Sequence, residues 1–477
     1  MPSIQVMSVR NARTGELDYQ LPVFSAEQVS SLAQQLRNAQ PTWAALPVAE
    51  RLEILTQFAA AIQAENDSLV VAVSSDTGRR HESAIEVQGT LNCIRRWVDD
   101  APALLATEPP RNSRTPHITI EQRRKPYGVV GVISPWYFPL LLSLIDAIPA
   151  LAAGCSVLIK PSEVTSRFVP ALERAIARVP QLQAVIRIVT GPGVTGEAVV
   201  RNSDVLCFTG SVRTGRQVAK LAAEVFVPAH LELGGKDAAI VCEDANLGLA
   251  ARALAWGSMG SAGQSCMSIE RCYVQRQVHD QFVELLAAEV SALKHCWPDI
   301  NSGQIGPIIA EIQVPIVERH LADALNKGAH VLTGGHVVTR GGGAWCEPTV
   351  LVNASHNMAV VTEETFAAIL PVMPFDTDDE AIRLANDTEY GLSGCVFSQD
   401  LQRARGLADR MEAGAISINN AALTAMVFDG AKQSFKHSGL GGSRMGTASL
   451  QRFYRLQALL IDDGTPSPWW FPPVVRD

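Results

Sequence analysis

Along the first hundred residues the apolar positions recur at the spacing of a single helix face. Ser25 followed by Gln28 has the form of a capping box and predicts a helix over 27–38. A second helix is predicted over 48–64, with Leu52, Leu55, Phe58, Ala59 and Ile62 on its apolar face, and a third near 81–101. Residues 109–116 form a Pro/Ser/Thr-rich break. His117-Ile118-Thr119-Ile120-Glu121 then alternates like an exposed strand, which Arg123-Arg124-Lys125 closes.

From Val129 the pattern changes to short runs that are apolar at successive positions. Strands are predicted at 129–133, 156–160, 186–190, 205–208 and 238–241, and helices at 141–153, 167–178, 196–201 and 215–225. Runs of this kind alternating with helices argue for an α/β fold, with a parallel sheet covered on both faces. A second set of alternating elements, at 282–293, 314–326, 379–386, 395–397, 401–411 and 415–418, predicts a second α/β domain.

Composition narrows the class. The chain of 477 residues has length for about three domains. It is 47% hydrophobic and 18% charged, as in an ordinary soluble protein. A net charge of −8 gives no basic footprint for nucleic acid and no polybasic patch for anionic membranes. The first ten residues lack the apolar core of a signal peptide. The most membrane-like stretch, 137–159, contains Pro139, Asp146 and Pro149, and reads as a core helix followed by a strand. Nine cysteines without paired C-x-x-C spacing predict neither a metal site nor a disulfide framework, and a reducing cytoplasm fits them best.

The candidate chemistry lies between Glu232 and Cys266. The first opens Glu232-Leu233-Gly234-Gly235-Lys236, and the second closes Gly263-Gln264-Ser265-Cys266 at the far end of a predicted helix. A thiol is a nucleophile as its thiolate, and a nearby base can take its proton or activate water. Glu232 could serve as that base if its pocket raises its pKa toward neutrality. Phe208-Thr209-Gly210-Ser211 places Ser211 at a helix start, where free N–H groups favour an anion or accept an N-cap. Gly191-Pro192-Gly193-Val194-Thr195-Gly196 follows a strand and opens a helix, as a dinucleotide fingerprint does, without an evident acid on the next strand.

These segments, with Pro135-Trp136, Lys160-Pro161-Ser162-Glu163 and Glu363-Glu364-Thr365-Phe366, make the chain similar to the aldehyde dehydrogenase superfamily over nearly its whole length. The resemblance implies two Rossmann-like α/β domains and a small β oligomerisation arm. The cofactor domain would comprise 1–107 and 127–233, the catalytic domain 234–445, and the arm 108–126 and 446–477. The strand near 118–121 and another near 458–461 would form that arm against a neighbouring subunit, in a homodimer or homotetramer.

The resemblance also implies NAD as cofactor. Lys160 and Glu163 would hydrogen-bond the adenosine ribose, and a carboxylate there would repel the 2′-phosphate of NADP. Trp136 would face the pyrophosphate, Glu364 would hold the nicotinamide ribose and Phe366 would lie beside it. Ile133, Ser134, Pro135, Ser162, Gly193, Phe208, Thr209, Gly210, Ser211, Leu233 and Gly234 would complete the nucleotide site. Cys266 would attack an aldehyde, hydride would leave, and Glu232 would activate water to hydrolyse the thioester. Retention of Glu232 favours hydrolysis over transfer to coenzyme A.

Three departures from the family pattern stand out. Tyr137 occupies the place of the Asn that completes the oxyanion hole, and its phenol could donate from a displaced position or block the site. Ala367-Ala368 replaces a Gly-Pro pair, and Ser443 stands where relatives often carry Glu. Leu141, Leu142, Ile145, Met267 and 421–428 are expected to line an apolar tunnel for an uncharged aliphatic or aromatic aldehyde. A nucleotide-binding relative with little redox activity, and an acylating or esterase-like thiol enzyme, are the competing expectations.

Overall fold

Successive residues of the central strands belong to different cores, as the uninterrupted apolar runs require. In the strand Val129–Ile133, Val130 and Val132 face one cluster, while Val129 and Ile133 face another. In Asp237–Val241, Ala238 and Ile240 likewise separate from Ala239 and Val241. Each sheet is therefore a middle layer with helices on both faces. The computed structural model describes residues 5–465. The last part of the expected arm, 466–477, lies outside them, as do residues 1–4.

The first sheet runs Gly439–Leu440, Ala229–Glu232, Val205–Thr209, Val129–Ile133, Ser156–Lys160, Ile186–Ile188. All neighbours are parallel except the short edge strand Gly439–Leu440, which is antiparallel to Ala229–Glu232. The second sheet has seven strands in the order His330–Thr333, Thr349–Val352, Ile369–Phe375, Ile269–Gln275, Asp237–Val241, Ser393–Phe397, Ala415–Ile418. Only its first pair is antiparallel. Glu232 ends the last parallel strand of the first sheet, and Asp237 begins the strand next to the central one of the second. The motif at 232–236 is the link between the two layers.

Several boundaries moved for identifiable reasons. The first helix begins at its capping box, with Ser25 N–H donating to Gln28 Oε1 at 2.8 Å, but continues to Ala45 through Pro41. Its last turn is anchored by the buried indole of Trp43, which donates to Leu151 O at 3.0 Å. A helix at Asn66–Thr77 escaped the periodicity because its buried face mixes Leu69, Val70 and Val73 with Ser74, Asp76 and Thr77. The helix expected over 141–153 divides at Ile145–Asp146 into Pro139–Leu144 and Ala147–Ala153. Among the described residues, no helix is long and apolar enough to cross a membrane.

The basic triplet does not end the exposed strand. That strand runs Ile118–Pro126, and along its whole length it pairs with Tyr454–Asp462, from Pro126 opposite Tyr454 to Ile118 opposite Asp462. Arg111–Asn112, inside the Pro/Ser/Thr-rich break, adds a short third strand. Leu456, Leu460 and Ile461 of this ribbon are exposed.

Candidate active site

Cys266 follows the helix Leu247–Met259 and a tight turn at Gly260–Gly263. Ser261, Ala262 and Gly263 all lie in the left-handed region, with φ of 55°, 57° and 69°. Gly263 has a further reason to be glycine, because a Cβ there would stand 2.1 Å from the Ala367 carbonyl oxygen. Gln264 fixes the turn from the other side. Its amide donates to Pro307 O and accepts from Ile309 N–H, both at 2.9 Å. A Cβ on Gly235 would lie 2.7 Å from the Cys266 carbonyl oxygen, so the motif that follows Glu232 packs directly on the cysteine backbone.

All nine cysteines are free and eight are buried; Cys266 alone is half-exposed. It lines a cleft of about 940 Å³ at the carboxyl ends of the strands of the first sheet, the side on which open α/β sheets take ligands. The structure gathers Ile133, Ser134, Pro135, Trp136, Tyr137, Lys160, Ser162 and Glu163 along the same wall. Gly193, Phe208, Thr209, Gly210, Ser211, Gly234, Glu364 and Phe366 complete the set. Leu233 and Glu232 are not on this wall. Leu233 turns its side chain into the core with Leu231 and Phe208, and Glu232 sits in a polar niche formed with Lys432 and Ser434.

At one end of the cleft the ammonium of the buried Lys160 stands 2.9 Å from a Glu163 carboxylate that is half-exposed. Ser211 caps the helix Val212–Glu224, accepting from Thr214 N–H at 3.3 Å. That helix also brings Arg213, Thr214, Gln217 and Lys220 to the wall, none of which belongs to a motif. A cleft of about 940 Å³ lined by both a charged polar pair and a thiol has room for a nucleotide cofactor beside a small substrate.

The inner end is aromatic. Phe366 packs edge-on against both Trp136 and Tyr137, with ring centroids 5.3 and 5.0 Å apart. Its position comes from a buried pair beneath it: Lys236 Nζ lies 2.6 Å from Glu270 Oε2, and Glu270 accepts from Thr365 N–H at 2.7 Å and Phe366 N–H at 2.9 Å. The adjoining acids divide. Glu363 points outward to Arg319 at 2.6 Å, whereas Glu364 turns inward and accepts from Gly235 N–H at 3.1 Å. Burial and the charge of Glu270 push the Glu364 carboxyl up to about 8. Ala367 and Ala368 are buried, so the pair replacing Gly-Pro supports the turn at Gly263 without displacing Glu364 from the cleft.

Burial pushes the Cys266 thiol up to about 11, against the opposing pull of the Tyr137 hydroxyl and the Lys432 charge. Tyr137 is itself buried, and burial together with the neighbouring thiol raises its phenol well above the usual range. The substituted phenol is therefore neutral and lines the same cleft as the sulfur.

Glu232 behaves otherwise than its sequence suggests. Burial alone would raise its carboxyl, but Lys432 and Arg444, with a hydrogen bond from Ser434, hold it below its ordinary value. Lys432 Nζ lies 3.2 Å and Ser434 Oγ 2.8 Å from Glu232 Oε2. These partners come from the loop after 420, in which no motif or periodicity marks them. Of the expected tunnel residues, Ile145 is buried, Leu141, Leu142 and Met267 are half-buried, and Met426 and Val427 are exposed.

The profile of the aldehyde dehydrogenase family matches residues 2–459. The succinate-semialdehyde dehydrogenase [NADP(+)] GabD of Escherichia coli is 33% identical over 451 residues, covering 93% of this chain and 92% of that protein. The solved structure of PutA from Anabaena variabilis, a protein assigned as an aldehyde dehydrogenase, superposes with a TM-score of 0.96 at 48% identity, covering 98% and 100% of the two chains. The betaine aldehyde dehydrogenase of Staphylococcus aureus in complex with NAD+ gives a TM-score of 0.90 at 28% identity, covering 98% and 94%.

Proposed function

The chain belongs to the aldehyde dehydrogenase family, and from that premise we propose that it oxidises an uncharged aliphatic or aromatic aldehyde to the carboxylic acid through a thioester on Cys266. The observation that carries this reading is that Cys266, unlike the eight buried cysteines, opens into the cleft.

In this reading the domain division follows the two sheets, with most of the cofactor held by residues before 234 and the nucleophile supplied after it, together with Glu364 and Phe366. Lys160 and Glu163 would hold the adenosine ribose, Trp136 the pyrophosphate and Glu364 the nicotinamide ribose. Glu163 favours NAD over NADP, because a carboxylate at the ribose opposes a 2′-phosphate. The nicotinamide, when bound, accepts the hydride that leaves the substrate carbon.

Cys266 Sγ attacks the aldehyde carbon as thiolate, and the carbonyl oxygen becomes an oxyanion. Tyr137 Oη, which lines the same cleft as the sulfur, donates to that oxygen in place of the absent amide. Loss of hydride leaves a thioester. Glu232 then takes a proton from water as the water oxygen attacks the thioester carbon, and Cys266 departs as thiolate. Because the carboxylate is held ionised, it needs no rise in pKa to be ready for this step, although a lower pKa makes it a weaker base. A nucleophilic thiol suits the reducing cytoplasm. The exposed Leu456, Leu460 and Ile461 of the two-stranded ribbon support a homodimer or homotetramer built through that arm.

The test is NADH formation across a panel of uncharged aldehydes, with and without coenzyme A, in wild type and Cys266→Ala. The reading expects coenzyme A-independent NADH formation that the substitution abolishes. Nucleotide binding without NADH formation, or turnover that depends on coenzyme A, would contradict it.

A further inference from the structure

Lys432 belongs to no motif, yet it places a buried ammonium 3.2 Å from the proposed base, with 5% of its side chain exposed against 11% for Glu232. We propose that Lys432 is the positioning residue of Glu232: with Ser434 it fixes Oε2, keeps the carboxylate charged, and turns Oε1 free toward the water that hydrolyses the thioester. This inference rests on the reading of Cys266 and Glu232 given above.

The geometry supports a dedicated role. Lys432 N–H donates to Ser443 Oγ at 3.0 Å, and Ser443 also donates to Met445 O at 2.8 Å and accepts from Met445 N–H at 3.1 Å. The residue that replaces a family Glu thus pins the lysine backbone. Among the described residues, Lys432 has no other carboxylate within ion-pair distance. The other nearby cation is already engaged, since Arg444 lies 2.7 Å from Asp146 Oδ2 and also donates to Thr209. Both contacts on Glu232 fall on Oε2, and among the described residues Oε1 takes no hydrogen bond.

Several groups act on Glu232 from the surrounding elements. Lys432 and Ser434 approach from the loop, and Arg444, itself on Asp146, from the segment beyond it. Cys207 faces it from the adjacent strand, His230 lies two residues back, and Cys266 stands across the niche. Asp237 is within reach of the same lysine charge. A buried carboxylate stripped of its paired cation is neutralised by protonation sooner than it is left bare. Without Lys432, Glu232 would hold its proton to higher pH and lose its capacity as a base there. In the hydrolytic step a water proton passes to Glu232 Oε1, the new C–O bond forms and the C–S bond breaks. Lys432 stays protonated throughout and acts only through the acid.

The experiment uses p-nitrophenyl acetate, which acetylates Cys266 with release of p-nitrophenol. The burst counts acylated sites, and the steady phase after it reports deacylation. Profiles over pH 4.5–9 are compared for wild type, Lys432→Met, Lys432→Arg and Ser434→Ala. The expected result is an acid limb of deacylation displaced upward by about one pH unit or more in Lys432→Met, about tenfold in rate per unit on the limb. Lys432→Arg restores the limb, and Ser434→Ala moves it the same way by less. A Lys432→Met profile that superposes on wild type after scaling overturns the inference while leaving the cysteine reading intact. A burst absent from wild type, or persisting in Cys266→Ala, overturns that reading and this inference with it.

Discussion

Arg444 Nη2 stands 2.7 Å from Asp146 Oδ2, while Arg452 Nη2 approaches Oδ1 of the same acid at 2.6 Å. Asp146 has no solvent exposure and lies where the chain breaks between Pro139–Leu144 and Ala147–Ala153. The pair ties the segment after the lysine loop to the junction of these two helices, and Arg444 also donates to Thr209 at the end of a strand of the first sheet. In the sequence Asp146 is only an obstacle to a membrane span; in the fold it is the counter-ion for two arginines.

Asp146→Asn leaves both guanidiniums buried without their anion, and should lower unfolding free energy by about 3–5 kcal/mol in urea titrations. Burial alone would raise this carboxyl, but Arg444 and Arg452 bring it down to about 2. Because the folded-state value lies below the unfolded one of about 3.9, the stabilisation is fully present above that pH and is lost as pH falls through about 2. Wild type should lose stability across this window, and the Asn variant should lack that component of the slope.

Tyr137→Phe removes the only polar atom of the substituted side chain without changing its ring packing on Phe366. Turnover on small aldehydes should fall about 10²–10³-fold. The thiol should also react with iodoacetamide along a pH profile displaced upward, because the phenol favours the thiolate. Unchanged turnover would exclude the phenol as oxyanion donor.

Glu163→Gln tests cofactor choice. The carboxylate sits 2.9 Å from Lys160 at the outer end of the cleft. Its neutral isostere removes the repulsion of a 2′-phosphate and frees the ammonium. The ratio of kcat/KM for NAD over NADP should exceed one in wild type and fall about tenfold in the variant. A ratio below one in wild type would reverse the assignment of Glu163.

Gly263→Ala should disrupt the nucleophile turn, since its Cβ would meet the Ala367 carbonyl at 2.1 Å on top of the cost of a positive φ. A left-handed conformation alone costs about 1–3 kcal/mol. Thermal unfolding should move down, and iodoacetamide should label the otherwise buried cysteines along with Cys266 at a lower temperature than in wild type.

The strands at 129–133, 156–160, 205–208 and 238–241 were legible because each is apolar on both faces, and the nucleophile turn because glycine and serine punctuate it. Ala229–Glu232, Ile269–Gln275 and Ile369–Phe375 escaped because His230, Glu270 with Arg271, and Pro371 with Pro374 interrupt their apolar runs. The wall of the cleft followed from short motifs at strand ends. What escaped was set by distant contacts. Lys432 and Glu232 meet 200 positions apart, so no local pattern announces the pair or the downward pull on the carboxyl. The helix Asn66–Thr77 was hidden by polar residues that are buried through tertiary partners, such as Asp76 under Arg167. The arm strand outran its alternation because the partner strand Tyr454–Asp462 continues opposite the basic triplet.

The division of labour between Cys266 and Glu232 is tested most directly by stopped-flow absorbance at 340 nm on Glu232→Gln. The account predicts a burst of about one NADH per active site followed by arrest at the thioester, with wild type turning over continuously. Sustained turnover of the variant at the wild-type rate, or no burst in either protein, would contradict it.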